Sequence, residues 1–166
     1  MRTLYLCRHA KSSWAEAGQH DHDRPLNDRG LKDAPHMALR FKQRGDEVDM
    51  IVTSTAQRAR STADAYVEAL HLRDEQYTQE PTLYHPTPAA INAVVNQLSN
   101  RFASVMLFGH NPGFSEAVQH FVGGPYMDMP TCSIARIDFM VDDWALVSRD
   151  MGQLIWFDYP KASDLI

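Results

Sequence analysis

Three short apolar runs, Leu4–Cys7, Asp49–Thr53 and Ser104–Phe108, alternate with amphipathic stretches of helical period. This alternation constrains the fold more than any other property of the chain. A run of that length bounded by charge is too short for a helix and reads as a buried strand. Between the first two runs, Leu31, Ala34, Met37, Ala38 and Phe41 recur on one face of a helix from Gly30 to Arg44, which Gly45 closes. After the second run, a helix capped by Thr55 reaches Leu70 and turns Ala56, Ala59, Ala63, Tyr66, Val67 and Leu70 inward. A proline-spaced connection, Pro81 to Pro88, leads into a helix that buries Ile91, Val94, Val95 and Leu98, and a short helix spans Phe114 to Val122. Strands alternating with helices predict an α/β fold with a mainly parallel central sheet and helices on both faces. The last third departs from that pattern. Ile134 to Val141 alternates as a half-buried strand, and Trp144–Ser148 and Leu154–Tyr159 are expected to close an antiparallel meander.

Length and charge narrow the function. The 166 residues, 44 % of them hydrophobic, suit one domain spanning 1–166. With 16 basic and 21 acidic residues the formal net charge is -5, so neither nucleic acid nor an anionic membrane is an expected partner. Any anionic ligand must then be caught by a local cluster of arginines. The two cysteines, Cys7 in the first run and Cys132 in a loop, read as buried thiols of a reducing compartment. No signal peptide or membrane span is expected, which places the protein in the cytoplasm.

The chemistry gathers at strand ends. Right-handed crossovers send the carboxyl ends of parallel strands to one edge of the sheet, where ligands of such folds collect. Arg8-His9 follows the first strand, Ser54-Thr55-Ala56-Gln57-Arg58 the second and Gly109-His110-Asn111-Pro112 the third. Arg58 also falls in the first turn of its helix, where backbone N–H groups favour an anion. Two histidines and two arginines around one point suit a phosphoryl group. Residues 11–29 form a long polar loop of the kind that carries function. There Ser12 and Ser13 either donate to phosphate or shape the turn, and Arg24 either contacts substrate or pairs with Asp21 or Asp28. Asn111 fixes its loop or touches substrate.

Other chemistries fail on inspection. His20-Asp21-His22-Asp23 has metal-ligating residue types but no complementary pattern downstream, so it reads as a solvated loop and no metal is expected. A cysteine phosphatase needs an arginine after five intervening residues, yet Cys7 leads to Ser13 and Cys132 to Asp138. Paired aspartates do not directly follow an apolar strand, and a phosphate-binding P-loop is absent.

The motifs Arg8-His9-Ala10, Arg24-Pro25-Leu26-Asn27-Asp28-Arg29-Gly30, Ser54-Thr55-Ala56-Gln57-Arg58-Ala59-Arg60-Ser61-Thr62-Ala63 and Gly109-His110-Asn111-Pro112 resemble, in order, those of the histidine phosphatase superfamily. The opening Arg-His-Ala-Lys-Ser-Ser-Trp is most similar to its SixA-like phosphohistidine phosphatase branch. The resemblance implies a three-layer α/β/α sandwich of phosphoglycerate mutase type, a phosphohistidine enzyme intermediate, and no metal or cofactor. Carried over by position, His9 is the nucleophile, Arg8 and Arg58 clamp the phosphate, and His110 is the second histidine of the pocket; Ser12, Arg24 and Asn111 stay candidate substrate contacts, with the structural alternatives given above. Phosphoglycerate-mutase-like relatives carry a glutamate after a leucine before the third helix, where this chain reads Leu83-Tyr84-His85. Lacking that acid, it is expected to favour phosphohistidine, whose imidazole leaves readily, over a phosphate ester. Glu80, His85, Glu16, Asp21 and Asp23 are the substitutes within reach. The expected partner is a phosphorylated protein, such as a histidine phosphotransfer domain, or a small phosphorylated substrate; the alternatives are a small-molecule phosphomonoesterase or phosphoramidase, or a non-catalytic phosphohistidine-binding module.

Overall fold

The computed structural model describes residues 1–165, and side chains up to Ala162. Six strands form one sheet: β1 (Arg2–Arg8), β2 (Met50–Thr53), β3 (Tyr77–Gln79), β4 (Ser104–Gly109), β5 (Ile134–Phe139) and β6 (Gly152–Asp158). Their order is β3-β2-β4-β1-β5-β6, with the first four parallel and the last two antiparallel. The helices are α1 (Asp28–Arg44), α2 (Gln57–Leu70), α3 (Pro88–Asn96) and α4 (Gly113–Val122). One face of the sheet packs Tyr5, Cys7 and Met106 against Met37 and Phe41 of α1 and Tyr66 of α2. The other packs Leu4, Leu6 and Leu107 against Ile91 and Val95 of α3 and Phe114 and Phe121 of α4. The result is the α/β/α sandwich.

Helix starts follow their caps. Asn27 Oδ1 accepts the N–H of Gly30, so α1 begins at Asp28, two residues before Gly30, and ends at Gly45 in the left-handed region. Leu31, expected on the buried stripe, is 60 % exposed because it lies at the stripe's edge in the first turn, whereas Ala34, Met37, Ala38 and Phe41 are buried. Thr55 does not cap α2; Ala56 holds that position, and the Thr55 hydroxyl is 2.8 Å from His22 Nε2. Val67, Leu70, Val94 and Leu98 are only half-buried.

The carboxyl-terminal third differs more. Residues 144–146 form a 3-10 turn instead of a strand, because Trp144 is wholly buried and its Nε1–H donates to the Phe102 carbonyl. β5 is buried along nearly its whole length, not half-buried, since it lies between β1 and β6. The edge strand β3, only three residues of mixed polarity, has no apolar run to announce it.

Candidate active site

Strand register brings the predicted residues to one level. Arg8 pairs with Gly109 and Thr53 with Phe108, while the His9 N–H donates to the Gly109 carbonyl and the Ser54 N–H to that of Phe108. His9, Ser54 and His110 therefore emerge side by side beyond β1, β2 and β4. The Ala10 N–H donates to Thr62 Oγ1, whose own proton goes to the Arg58 carbonyl, tying the end of β1 to α2. Gly109 permits the turn after β4, because a Cβ there would lie 2.2 Å from the Phe114 ring.

Arg8, His9, Ser12, Arg24, Arg58, His110 and Asn111, all singled out from the sequence, line one pocket of about 220 Å³, together with Lys11, Trp14, His85 and Thr131. The rings of His9 and His110 are 5.1 Å apart. His9 Nδ1 is 2.7 Å from the Ala10 carbonyl. A carbonyl only accepts, so the proton sits on Nδ1 and the lone pair on Nε2. Burial is the main cause that lowers the His9 pKa to about 3, the charges of Arg58, Arg8 and Arg24 being secondary. The ring is neutral at neutral pH, as a nucleophile requires.

His110 is pushed down to about 2, again chiefly by burial. It is therefore neutral. Ser54 Oγ accepts the Ala56 N–H and lies 2.7 Å from His110 Nε2. The Ser54 hydroxyl can donate to Nε2, the tautomer in which the ring proton sits on Nδ1. That nitrogen, Arg8 Nε and Arg58 Nε are all buried without a partner in the protein. Buried donors are normally satisfied, and all three belong to residues that line the pocket of His9.

The remaining polar atoms are held from behind. Arg8 donates to the Met129 carbonyl. Arg58 donates to the Asp21 backbone carbonyl at 2.6 Å and to its Oδ2 at 3.0 Å. Arg24 donates to Asp21 Oδ1, to the Ser13 carbonyl and to Ser12 Oγ. Burial works to raise the Asp21 pKa, but hydrogen bonds from Tyr84, Arg24 and Arg58 hold its carboxyl well below the usual range. Asp21 is thus an anionic clasp, and the 20–23 segment is half-buried at Asp21 and His22 instead of solvated. Asn111 Oδ1 accepts from Ser115, and its Nδ2 donates to the Met129 carbonyl and Asp128, so the side chain also braces its loop.

Glu80 lies elsewhere: it lines a separate cleft of about 530 Å³ beside α3 and caps the 3-10 turn at 81–83. Glu16 and Asp23 are exposed. Among the described residues, no three His, Cys, Asp or Glu side chains gather as a metal set. Nothing in the sequence marks Thr62 or Tyr84 for a role at the site; Ser54, at the end of a strand, lies where position signals function.

A profile of the histidine phosphatase superfamily (branch 1) matches residues 4–84. A candidate phosphohistidine phosphatase SixA from Agrobacterium tumefaciens superposes with a TM-score of 0.81 at 28 % identity, over 96 % of this chain and 98 % of that one. The tungstate complex of a protein histidine phosphatase SixA superposes at 0.82 with 23 % identity, over 99 % of each chain. An uncharacterised chloroplastic protein of Arabidopsis thaliana is 29 % identical over 86 % of this chain and 69 % of its own.

Proposed function

Because the chain belongs to the histidine phosphatase superfamily, on its SixA-like branch, and is a phosphatase, we propose that it hydrolyses protein phosphohistidine through a covalent phosphoenzyme on His9, without a metal or cofactor. The observation that carries this reading is the convergence of Arg8, Arg24, Arg58 and His110 on the pocket of an uncharged His9. His9 Nε2 attacks phosphorus as the bond to the leaving group breaks, and water then displaces Nε2 to release phosphate. The transition state is loose and carries its charge on the equatorial oxygens. Fixed guanidinium and N–H donors lower its energy because they are oriented before that charge develops. Neutral His110 contributes one N–H donor and no charge.

Pocket lining supports the substrate class. Charged and polar side chains dominate it, which suits a phosphoryl group carried on a protein surface. The exposed Trp14, stacked on the Arg24 guanidinium with 3.2 Å from carbon to ring centroid, forms part of the rim where such a partner would touch. A histidine phosphotransfer domain fits this geometry. A cytoplasmic setting agrees with two buried, unpaired thiols; among the described residues no helix is long and apolar enough to cross a membrane.

Incubation with a phosphohistidine peptide and with an aryl phosphate tests the reading. Phosphohistidine should be preferred by kcat/KM, and His9→Ala should abolish turnover while retaining phosphate binding. Preference for the ester would refute the substrate, and turnover of neither would favour a phosphohistidine-binding module.

A further inference from the structure

The reaction needs one proton that no group assigned so far supplies. An imidazole leaves phosphorus as a neutral ring only if its other nitrogen carries a proton, and an alcohol leaves well only when its oxygen is protonated. His9 keeps its single proton on Nδ1, donated to the Ala10 carbonyl, and burial holds His110 neutral. Asp21 is fixed as a carboxylate, the Tyr84 hydroxyl donates to it at 2.6 Å, and Glu80 belongs to another cleft. Resting on the phosphatase reading above, we propose that His85 is the proton donor to the leaving group and the acceptor of the attacking water's proton.

His85 lines the pocket of His9, Arg8 and Arg58, and its side chain is 62 % exposed. Its backbone is left-handed, with φ 54, and its ring stacks on Tyr84 at 4.0 Å and lies 6.1 Å from the His110 ring. The segment is pressed against the turn that carries His110: a side chain at Gly113 would meet the Pro86 carbonyl at 2.3 Å. The charged and titratable groups facing the ring are Asp21 from the 21–23 turn, with Oδ2 at 3.7 Å from His85 Nε2, Tyr84 beside it and His110 beyond β4; Arg58 of α2 reaches it through Asp21. The Asp21 carboxylate thus stands beside a ring that also lines the substrate pocket.

The steps balance. In the first, the His9 Nε2 lone pair forms the P–N bond, the bond from phosphorus to the leaving group breaks with its electron pair, and the imidazolium of His85 delivers a proton to that group. In the second, a water oxygen bonds to phosphorus, its proton passes to the now neutral His85, and the P–Nε2 electron pair returns to His9. The sum is addition of one water, with His85 restored.

His85→Asn removes the titratable ring, and Asn tolerates the left-handed backbone. Wild type and variant are compared on 4-nitrophenyl phosphate, phenyl phosphate and a phosphohistidine peptide, with circular dichroism to verify folding. The nitrophenolate needs no proton, so kcat/KM on 4-nitrophenyl phosphate should fall far less than that on phenyl phosphate, which drops by about 10²-fold or more, the range that a positioned proton donor supplies. Phosphohistidine cleavage should fall with it, and the variant should lose the phenyl phosphate pH limb that wild type shows. Equal losses on all substrates, or none, would overturn the assignment of His85 while wild-type turnover leaves the phosphatase reading standing. Absence of wild-type turnover would remove both.

Discussion

The imidazole of His9 is locked by its own neighbour: Nδ1 donates to the Ala10 carbonyl across 2.7 Å, which leaves Nε2 alone to face the pocket. The trapped intermediate should therefore carry phosphorus on Nε2, as read by phosphorus–nitrogen NMR correlations after alkaline denaturation. Phosphorus on Nδ1 would mean that the ring turns over during the reaction.

Arg58 combines an unpartnered Nε with two bonds to Asp21. Arg58→Ala should lower kcat by about 10²- to 10³-fold, as for other fixed donors to a transition state. Arg58→Lys should not restore it, since an ammonium is a point charge and cannot both hold the clasp and donate sideways to phosphate. Steady-state kinetics of the two variants decide this.

Asp21 orients both Arg58 and Arg24 and is ionised well below the ordinary carboxylate range. Asp21→Asn keeps the shape and removes the charge. It should raise KM and lower kcat together, by about tenfold in kcat/KM for loss of about one charge-assisted hydrogen bond, with its melting temperature within a few degrees of wild type. Unchanged kinetics would show that the arginines need no clasp.

His9 and His110 have folded pKa values of about 3 and about 2, against about 6.5 in an unfolded chain. Between those limits the unfolded state binds more protons, so both groups make stability rise with pH there, each by about 1.4 kcal/mol per pH unit. Urea denaturation should show stability falling as pH drops below about 6.5, with a shallower slope in the His9→Asn, His110→Asn double variant. Equal slopes would contradict neutral burial of these rings.

Gly109→Ala would set a methyl group 2.2 Å from the Phe114 ring. Relief of that clash moves the His110 turn, so a loss of about 1–3 kcal/mol in denaturant stability should come with a lower kcat.

Much of this was legible in the sequence because it depends on periodicity and strand ends. The apolar runs of β1, β2 and β4 and the stripe of Ala34, Met37, Ala38 and Phe41 announce the layers, and a parallel sheet places Arg8, His9, Arg58 and His110 at one edge. What was hidden depends on tertiary contact. The role of Asp21 follows from a loop fold that turns one carboxylate toward Arg58, Arg24 and Tyr84. Trp144 looked like a strand residue because a buried aromatic has the same hydropathy whether it lies in a ladder or anchors a turn. The neutrality of His9 is hidden for the same reason, since burial among neighbours distant in sequence lowers its pKa more than the arginines do.

The most direct measurement is rapid mixing of the protein with an isotopically labelled phosphoryl donor, quenched in alkali and mapped by peptide mass spectrometry. The account predicts an acid-labile, alkali-stable phosphoryl group on His9 that forms faster than turnover and is missing in His9→Ala. Steady hydrolysis with no label on His9, or a His9→Ala protein that turns over at the wild-type rate, would contradict it.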